Sequence, residues 1–239
     1  MMGTRARSEP LYRQAYHHLR ARIASGDLPA GAILPSEVAL ASELGLSQGT
    51  ARKALSELER DGLIVRRQGL GSFVNQTTAE SALFHFFRIR DDAGNMVVPE
   101  LLDTDISKVP AMDDDKAAFG PAVDEVFCIQ RTRAIEGRPA IRESITVPTK
   151  LFPGLAERAP LPNTLYVLFE RYYGRAVVRA EERLVAEPAT TADANFFGVN
   201  EGAPILVVRR RALDLSGAVV ERRVSRYHAP GYHYESVLS

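Results

Sequence analysis

The chain has 239 residues, 45% of them apolar, with 30 basic and 30 acidic side chains, which suits one large or two modest globular domains. No apolar run approaches the roughly 18 residues of a membrane span, and the start MMGTRARSEP lacks the apolar core of a signal peptide, so a cytoplasmic protein with no membrane partner is expected. The single Cys128 excludes an intramolecular disulfide and, with no Cys or His cluster, no metal site is expected.

Zero net charge conceals an asymmetry. Residues 1–75 carry ten basic and seven acidic side chains, and residues 76–239 the opposite excess. A basic N-terminal third gains meaning only beside a nucleic-acid motif.

In PLYRQAYHHLRARIAS (10–25), Leu11, Ala15, Leu19 and Ile23 recur four apart ahead of Gly26, which predicts a first helix. His17 and His18 are adjacent there, so they point apart and cannot share a metal in the i, i+4 manner. Pro35 and Ser36 open a second helix with Leu40 and Leu44 inward and Gly45 as its stop. The third helix starts in LGLSQGTARKAL, is capped by Ser47, and runs to Asp61 with Ala51, Ala54, Leu55 and Leu58 on one face. Its Gly49 costs about 1 kcal/mol relative to alanine, and a purely structural helix has no use for it. LIVRR and SFV then read as two short strands around a glycine-containing turn.

Helix, helix, turn, helix, hairpin is the layout of a winged helix-turn-helix, whose recognition helix lays its N-terminal residues in the DNA major groove. Ser47, Gln48 and Thr50 can bond base edges or phosphates, Gly49 permits close approach of the duplex, and Arg52 and Lys53 follow one turn on. Ser36 and Glu37 head the preceding helix and join the candidate contacts. Arg66, Arg67 and Gln68 beside Gly69 and Gly71 form a basic wing.

The pieces LPSEVALA, LSQGTARKAL, LERDGLI and QGLGSFV fall in the order and spacing of the DNA-binding domain of the GntR family of bacterial transcription regulators, which residues 10–75 resemble. The chain departs from the family pattern at Val38, Gln48, Gly49 and Leu70. The resemblance therefore implies the fold and operator DNA as partner, with base reading shifted toward Thr50, Arg52 and the wing.

The domains expected are residues 8–75, a polar linker at 76–82, and a second domain at 83–239. Strands are predicted in LFHFFRI, VFCIQRTRAI, PAIRESITV, AVVRAEERLVA, PILVVRRRALDL and AVVERRVSRYHA. Helices are predicted in NTLYVLFERYYG, with Leu165, Leu168, Phe169 and Tyr172 on one face, and in TTADANFFG, capped by Thr190 or Thr191. EGRP and LSG join paired strands, so the sheet should be mostly antiparallel. Asp113, Asp114 and Asp115 read as a solvated loop and Cys128 as a small buried apolar residue. Arg209, Arg210 and Arg211 alternate faces, so only part of that run can reach one site.

This half resembles the UTRA effector-binding domain of the HutC branch of the GntR family, which shares the fold of chorismate lyase. RTRAIEGRPAIRES, LFPGL, LYVLFERYYG and the run from FFGVNEGAP to SRYH carry the resemblance. The fold class is thus α+β, a winged helix-turn-helix followed by a mostly antiparallel sheet with helices. Arg131 and Arg133 share a strand face with Phe127 and Ile129, and two guanidinium forks at the end of an apolar face suit a phosphate or carboxylate. The resemblance adds Glu143, Ser144, Glu182 and Tyr227 as effector contacts.

The function expected is that of a ligand-responsive repressor binding a pseudo-palindromic operator in double-stranded DNA as a homodimer, with a small phosphorylated or carboxylated effector and no cofactor. The alternative is a DNA-tethered enzyme on the chorismate-lyase-like fold. No nucleophile-and-base arrangement is legible, so no catalytic residue is assigned.

Overall fold

A computed structural model describes residues 9–75 and 88–236, and the chain divides into two compact units, one within residues 1–76 and one within 77–239. The linker expected at 76–82 lies outside the described residues, as does LFHFFRI apart from its last residues.

The first unit holds α1 (Leu11–Ala24), α2 (Glu37–Leu44), α3 (Gln48–Arg60) and a hairpin of β1 (Ile64–Arg67) and β2 (Gly71–Val74). Ser36 caps α2 by accepting the Ala39 amide, and Ser47 caps α3 by accepting that of Thr50. Each such cap contributes about 1 kcal/mol. The α2–α3 turn passes through Gly45 at φ 64°, a conformation that favours glycine. Leu19, Leu40, Leu55 and Leu58 are inaccessible or nearly so, with Ala15, Ala51 and Ala54 between them. Small residues at those positions let the helices approach closely. Leu11 leaves the predicted stripe, being 56% exposed in the first turn of α1. Ile33 bridges Phe73 and the Leu34 amide bonds the Ser72 carbonyl at 2.8 Å, tying the segment before α2 to the wing.

The second unit is built on a six-stranded antiparallel sheet. Its strands are β4 (Glu100–Pro110), β5 (Glu125–Ile135), β6 (Arg138–Pro148), β7 (Val177–Pro188), β8 (Pro204–Asp214) and β9 (Val219–Tyr227), in spatial order β4-β5-β6-β9-β8-β7. A smaller pair joins β3 (Ile89–Asp91) to β10 (Tyr232–Tyr234). Glu136 and Gly137, at φ 50° and 73°, make the two-residue turn between β5 and β6, as a type I′ hairpin requires.

On the inner face of the sheet, Phe127, Ile129, Ile145 and Val147 pack with Phe152, Leu155 and the buried Leu165, Leu168 and Phe169 of α5 (Leu165–Tyr173). Tyr172, predicted on that stripe, is 50% exposed. The outer face carries two short helices. In α4 (Asp113–Phe119) the supposed solvated loop is a first helical turn, where three aspartates suit the positive end of the dipole. Asp115 is buried and binds Arg222 Nη1 at 2.6 Å. In α6 (Thr191–Phe197) Thr190 is the cap, reciprocated by Asp193, and Phe197 packs against a cluster of Ala189, Ile205 and Val207. Cys128 is half-buried on the outer face and accepts from Gln130 Nε2, so it is not a core residue. No helix among the described residues is long and apolar enough to cross a membrane.

Candidate functional site

In the first unit a carboxylate organises the candidate DNA-reading residues. Glu37 Oε2 accepts from Arg52 Nε at 2.9 Å and from Gln48 Nε2 at 3.5 Å, and Glu37 Oε1 lies 3.7 Å from Arg66 Nη1. One glutamate at the head of α2 therefore aims side chains of both α3 and the wing. Arg66 also donates to Ser56 Oγ at 3.1 Å and pairs with Glu59 at 3.2 Å, fastening the wing to α3. Arg67 stacks over Phe73, while the exposed tip of the wing holds Gln68 and, between Gly69 (φ +74°) and Gly71 (φ +109°), Leu70. Lys53 Nζ sits 4.0 Å above the Tyr12 ring.

Ser47 Oγ and Thr50 Oγ1 are 2.8 Å apart, so those hydroxyls are partly spent on the cap. Gly49 is exposed, and a Cβ there would meet only Ser47 Oγ, at 4.0 Å. The fold does not demand this glycine, which fits its reservation for close approach of an outside surface.

Reading and positioning separate in two variants. Arg52→Ala is expected to cost about 1–3 kcal/mol and to relax preference at particular base pairs, whereas Arg67→Ala weakens all sequences alike and flattens the salt dependence. Binding of selected and random duplexes across a salt series measures both. Equal losses on both duplexes for Arg52→Ala would make that residue a phosphate contact.

In the second unit the inner sheet face turns polar between two apolar clusters. Across the strands, Thr104, Arg131, Glu143 and Ser225 stand opposite one another, and Arg223, Arg210 and Glu182 continue the patch. Arg131 and Arg133 are 2% and 0% exposed. Arg133 Nε bonds Glu143 Oε2 at 2.7 Å and its Nη1 meets Asn163 Oδ1. Arg223 reaches Glu143 Oε1 at 3.2 Å and both oxygens of Glu221 at 3.0 Å. Arg210 Nε bonds Glu182 Oε1 at 2.5 Å, and the Tyr234 hydroxyl donates to the other oxygen of that carboxylate. Tyr166 of α5 donates to Glu221 at 2.9 Å. Burial works against ionisation of Glu143, but Arg133 and Arg223 hold its pKa down at about 2.

Arg131 is the exception. Its Nη1 and Nη2 bond the backbone carbonyls of Asn163 and Pro162 at 3.2 and 2.9 Å, and among the described residues no carboxylate is in bonding distance of it. Burial, reinforced by Arg133 and Arg223, lowers its pKa to about 10. The carbonyls it binds lead directly into α5, whose N-cap Thr164 makes no side-chain cap bond, so the positive end of that helix dipole adds to the same region.

Of the residues predicted for the effector, the structure brings Arg131, Arg133, Glu143, Glu182 and Tyr227 onto this inner face. Ser144 is placed apart from them. One residue from Glu143, it points to the outer face and accepts from Gln130 Nε2 at 3.0 Å. Thr104, Asn163, Tyr166, Arg210, Glu221, Arg223 and Ser225 were not foreseen. For Arg210, Glu221 and Arg223 the signal was faint, because a charged residue in a strand reads as outward-facing until its cross-strand partners are known.

Recesses of about 420 and 730 Å³ open on the outer face. Their cations are mostly matched: Arg222 by Asp114 and Asp115, Arg226 by Glu187 and Asp193, Arg142 by Asp193, and Arg209 by Glu187. That balance gives them no special affinity for an anion.

A winged helix-turn-helix followed by a sheet domain with a buried charged cluster defines a DNA-binding regulator with an effector domain. Residues 11–74 match the bacterial regulatory proteins of the gntR family and residues 98–233 match the UTRA domain. The chain is 31% identical over 235 residues to the HTH-type transcriptional repressor NagR of Bacillus subtilis, covering 96% of each. It is 28% identical over 225 residues to the histidine utilization repressor of Pseudomonas aeruginosa, covering 90% of this chain and 86% of that one. The crystal structure of the ligand-binding domain of a putative GntR-family regulator from Bordetella bronchiseptica superposes with a TM-score of 0.57 at 27% identity, covering 65% of this chain and 98% of that one. The chain belongs to the GntR family of bacterial transcription regulators, in its UTRA-bearing HutC branch. It is a ligand-responsive transcription regulator rather than an enzyme.

Proposed function

We propose that this regulator is a repressor that binds a pseudo-palindromic operator as a homodimer in the cytoplasm and is modulated by a small phosphorylated or carboxylated metabolite bound at Arg131 and Arg133. The observation that carries the effector class is a count. On the inner face, four buried guanidiniums (Arg131, Arg133, Arg210, Arg223) meet three carboxylates (Glu143, Glu182, Glu221) among the described residues. A buried cation without a counter-charge is costly, and an anion from outside supplies the missing charge. The carboxylates and tyrosines around it suit a ligand that also carries hydroxyl or amino donors.

Repression is supported by the two full-length relatives described above, both of which are named repressors. A homodimer fits one recognition helix per chain, since two linked half-sites are what a two-fold operator presents.

The test is a thermal-shift screen of phosphorylated and carboxylated metabolites, because a ligand that binds only the native state raises its melting temperature. At least one is expected to stabilise the wild type and to leave Arg131→Met unmoved. A metabolite that stabilises both equally would place the effector elsewhere.

A further inference from the structure

Two buried side-chain polar atoms among the described residues have no hydrogen-bond partner, Thr104 Oγ1 and Arg131 Nε. They are neighbours. Thr104 of β4 stands directly opposite Arg131 of β5, on the same face of the sheet, where facing Cβ atoms are about 4.5–5.5 Å apart. Buried polar groups are nearly always paired, so two orphans side by side mark a place where a third group belongs.

The backbone explains how the pair arises. A bulge interrupts the β4–β5 register between Leu101 and Asp103: Leu101 pairs with Arg133, whereas Asp103 pairs with Thr132 and Thr104 with Arg131. Leu102 is the extra residue, 52% exposed. Were there no bulge, Leu102 would pair with Thr132, and strict alternation would turn Asp103 inward, opposite Arg131. The bulge instead sends Asp103 to the outer face, where it accepts the Thr104 amide at 2.8 Å, and presents a neutral hydroxyl to the guanidinium. A carboxylate one residue away is thus kept from neutralising Arg131.

We infer that Thr104 is an effector contact, its hydroxyl and Arg131 Nε donating together to one oxyanion of the ligand, and that the β4 bulge keeps this two-donor site free of the protein's own carboxylate. This rests on the reading of Arg131 as the effector's anion site, and it adds a residue on an edge strand that determines how tightly the anion is held. The shared chemistry is that of an oxyanion, and separate titrations distinguish a phosphate from a carboxylate.

The experiment uses the full-length protein with inorganic phosphate and acetate as probes, read as the shift in melting temperature with probe concentration. The wild type is expected to be stabilised by at least one of them. Thr104→Val removes the hydroxyl at nearly constant shape and is expected to weaken that probe about tenfold, since a hydrogen bond to a charged group is lost. Thr104→Asp is expected to raise the melting temperature with no probe present, by pairing Arg131 internally, and to abolish the response. If Thr104→Val responds like the wild type while Arg131→Met does not respond, the anion site stands and the role of Thr104 is overturned. If Arg131→Met responds as well, the anion site itself is misplaced. Should Thr104→Asp fail to raise the melting temperature, the inference fails whatever the probes do.

Discussion

Replacing Arg133 by methionine is expected to destabilise the protein by about 3 kcal/mol, the lower end of the cost of breaking a buried ion pair, whereas the same change at Arg131 leaves stability unchanged or raises it. The two arginines are two residues apart on one strand face and both are buried, so composition and burial alone would predict equal costs. Their partners differ. Arg133 binds Glu143, which is only 5% exposed, and its loss leaves that carboxylate with the hydrogen bonds from Arg223 and Ser225. Among the described residues Arg131 binds two carbonyls and no carboxylate, and one of the carbonyls, that of Asn163, keeps a bond from Arg133 Nη2. Removing Arg131 therefore deletes a buried cation that makes no ion pair among the described residues, together with its repulsion of Arg133 and Arg223.

Urea unfolding of the full chain, followed by circular dichroism because the sequence has no tryptophan, measures the difference. For a chain of this size about 3 kcal/mol corresponds to a fall of roughly 6–12 °C in melting temperature. Acid gives a second readout. The carboxyl of Glu143 titrates at about 2 in the folded state against an ordinary 4.5. Its stabilising contribution is therefore complete above about pH 4.5 and is lost as the pH falls from there toward 2. The wild type and Arg133→Met should accordingly converge in stability through that window. Equal costs at Arg131 and Arg133, or a gap that persists at pH 2, would contradict the assignment of Glu143 to Arg133.

The contrast between these arginines shows where a sequence stops being legible. Period-two alternation puts Arg131 and Arg133 on the face of Phe127 and Ile129, and the structure places both there. Alternation also puts Ser144 on the face opposite Glu143, so adjacent residues could not both belong to one inner-face site. The partners that distinguish the arginines come from other strands, and the registers that bring Glu143, Ser225 and Arg223 together are set by tertiary packing. The DNA-binding unit was more readable, because its helices are short, capped by Ser36 and Ser47, and patterned on one face.

Strand β4 escaped detection for a physical reason. As an edge strand it buries little, and Asp103, Asp105 and Lys108 break any apolar alternation, which is how natural sheets guard their edges. Missing β4 meant missing Thr104. The aspartates at 113–115 were misread in a similar way, since a run of like charges suggests solvent, yet the first turn of a helix and Arg222 give it a place in the fold.

Operator affinity is expected to change as strongly, because anion binding and DNA binding are coupled in one molecule. A ligand moves an equilibrium only by its differential affinity for the two states, so a useful effector must change operator affinity by at least about tenfold, or roughly 1.4 kcal/mol. Thermodynamic linkage then requires operator DNA to change effector affinity by the same factor. The decisive measurement titrates the stabilising metabolite into the wild type and into Arg131→Met, with and without a saturating operator duplex selected by the protein from random DNA. The wild-type effector affinity is expected to shift with DNA by the factor by which effector shifts DNA affinity, and Arg131→Met is expected to show no effector response while its operator affinity stays near that of the wild type. An effector that binds through Arg131 with an affinity indifferent to operator would contradict it.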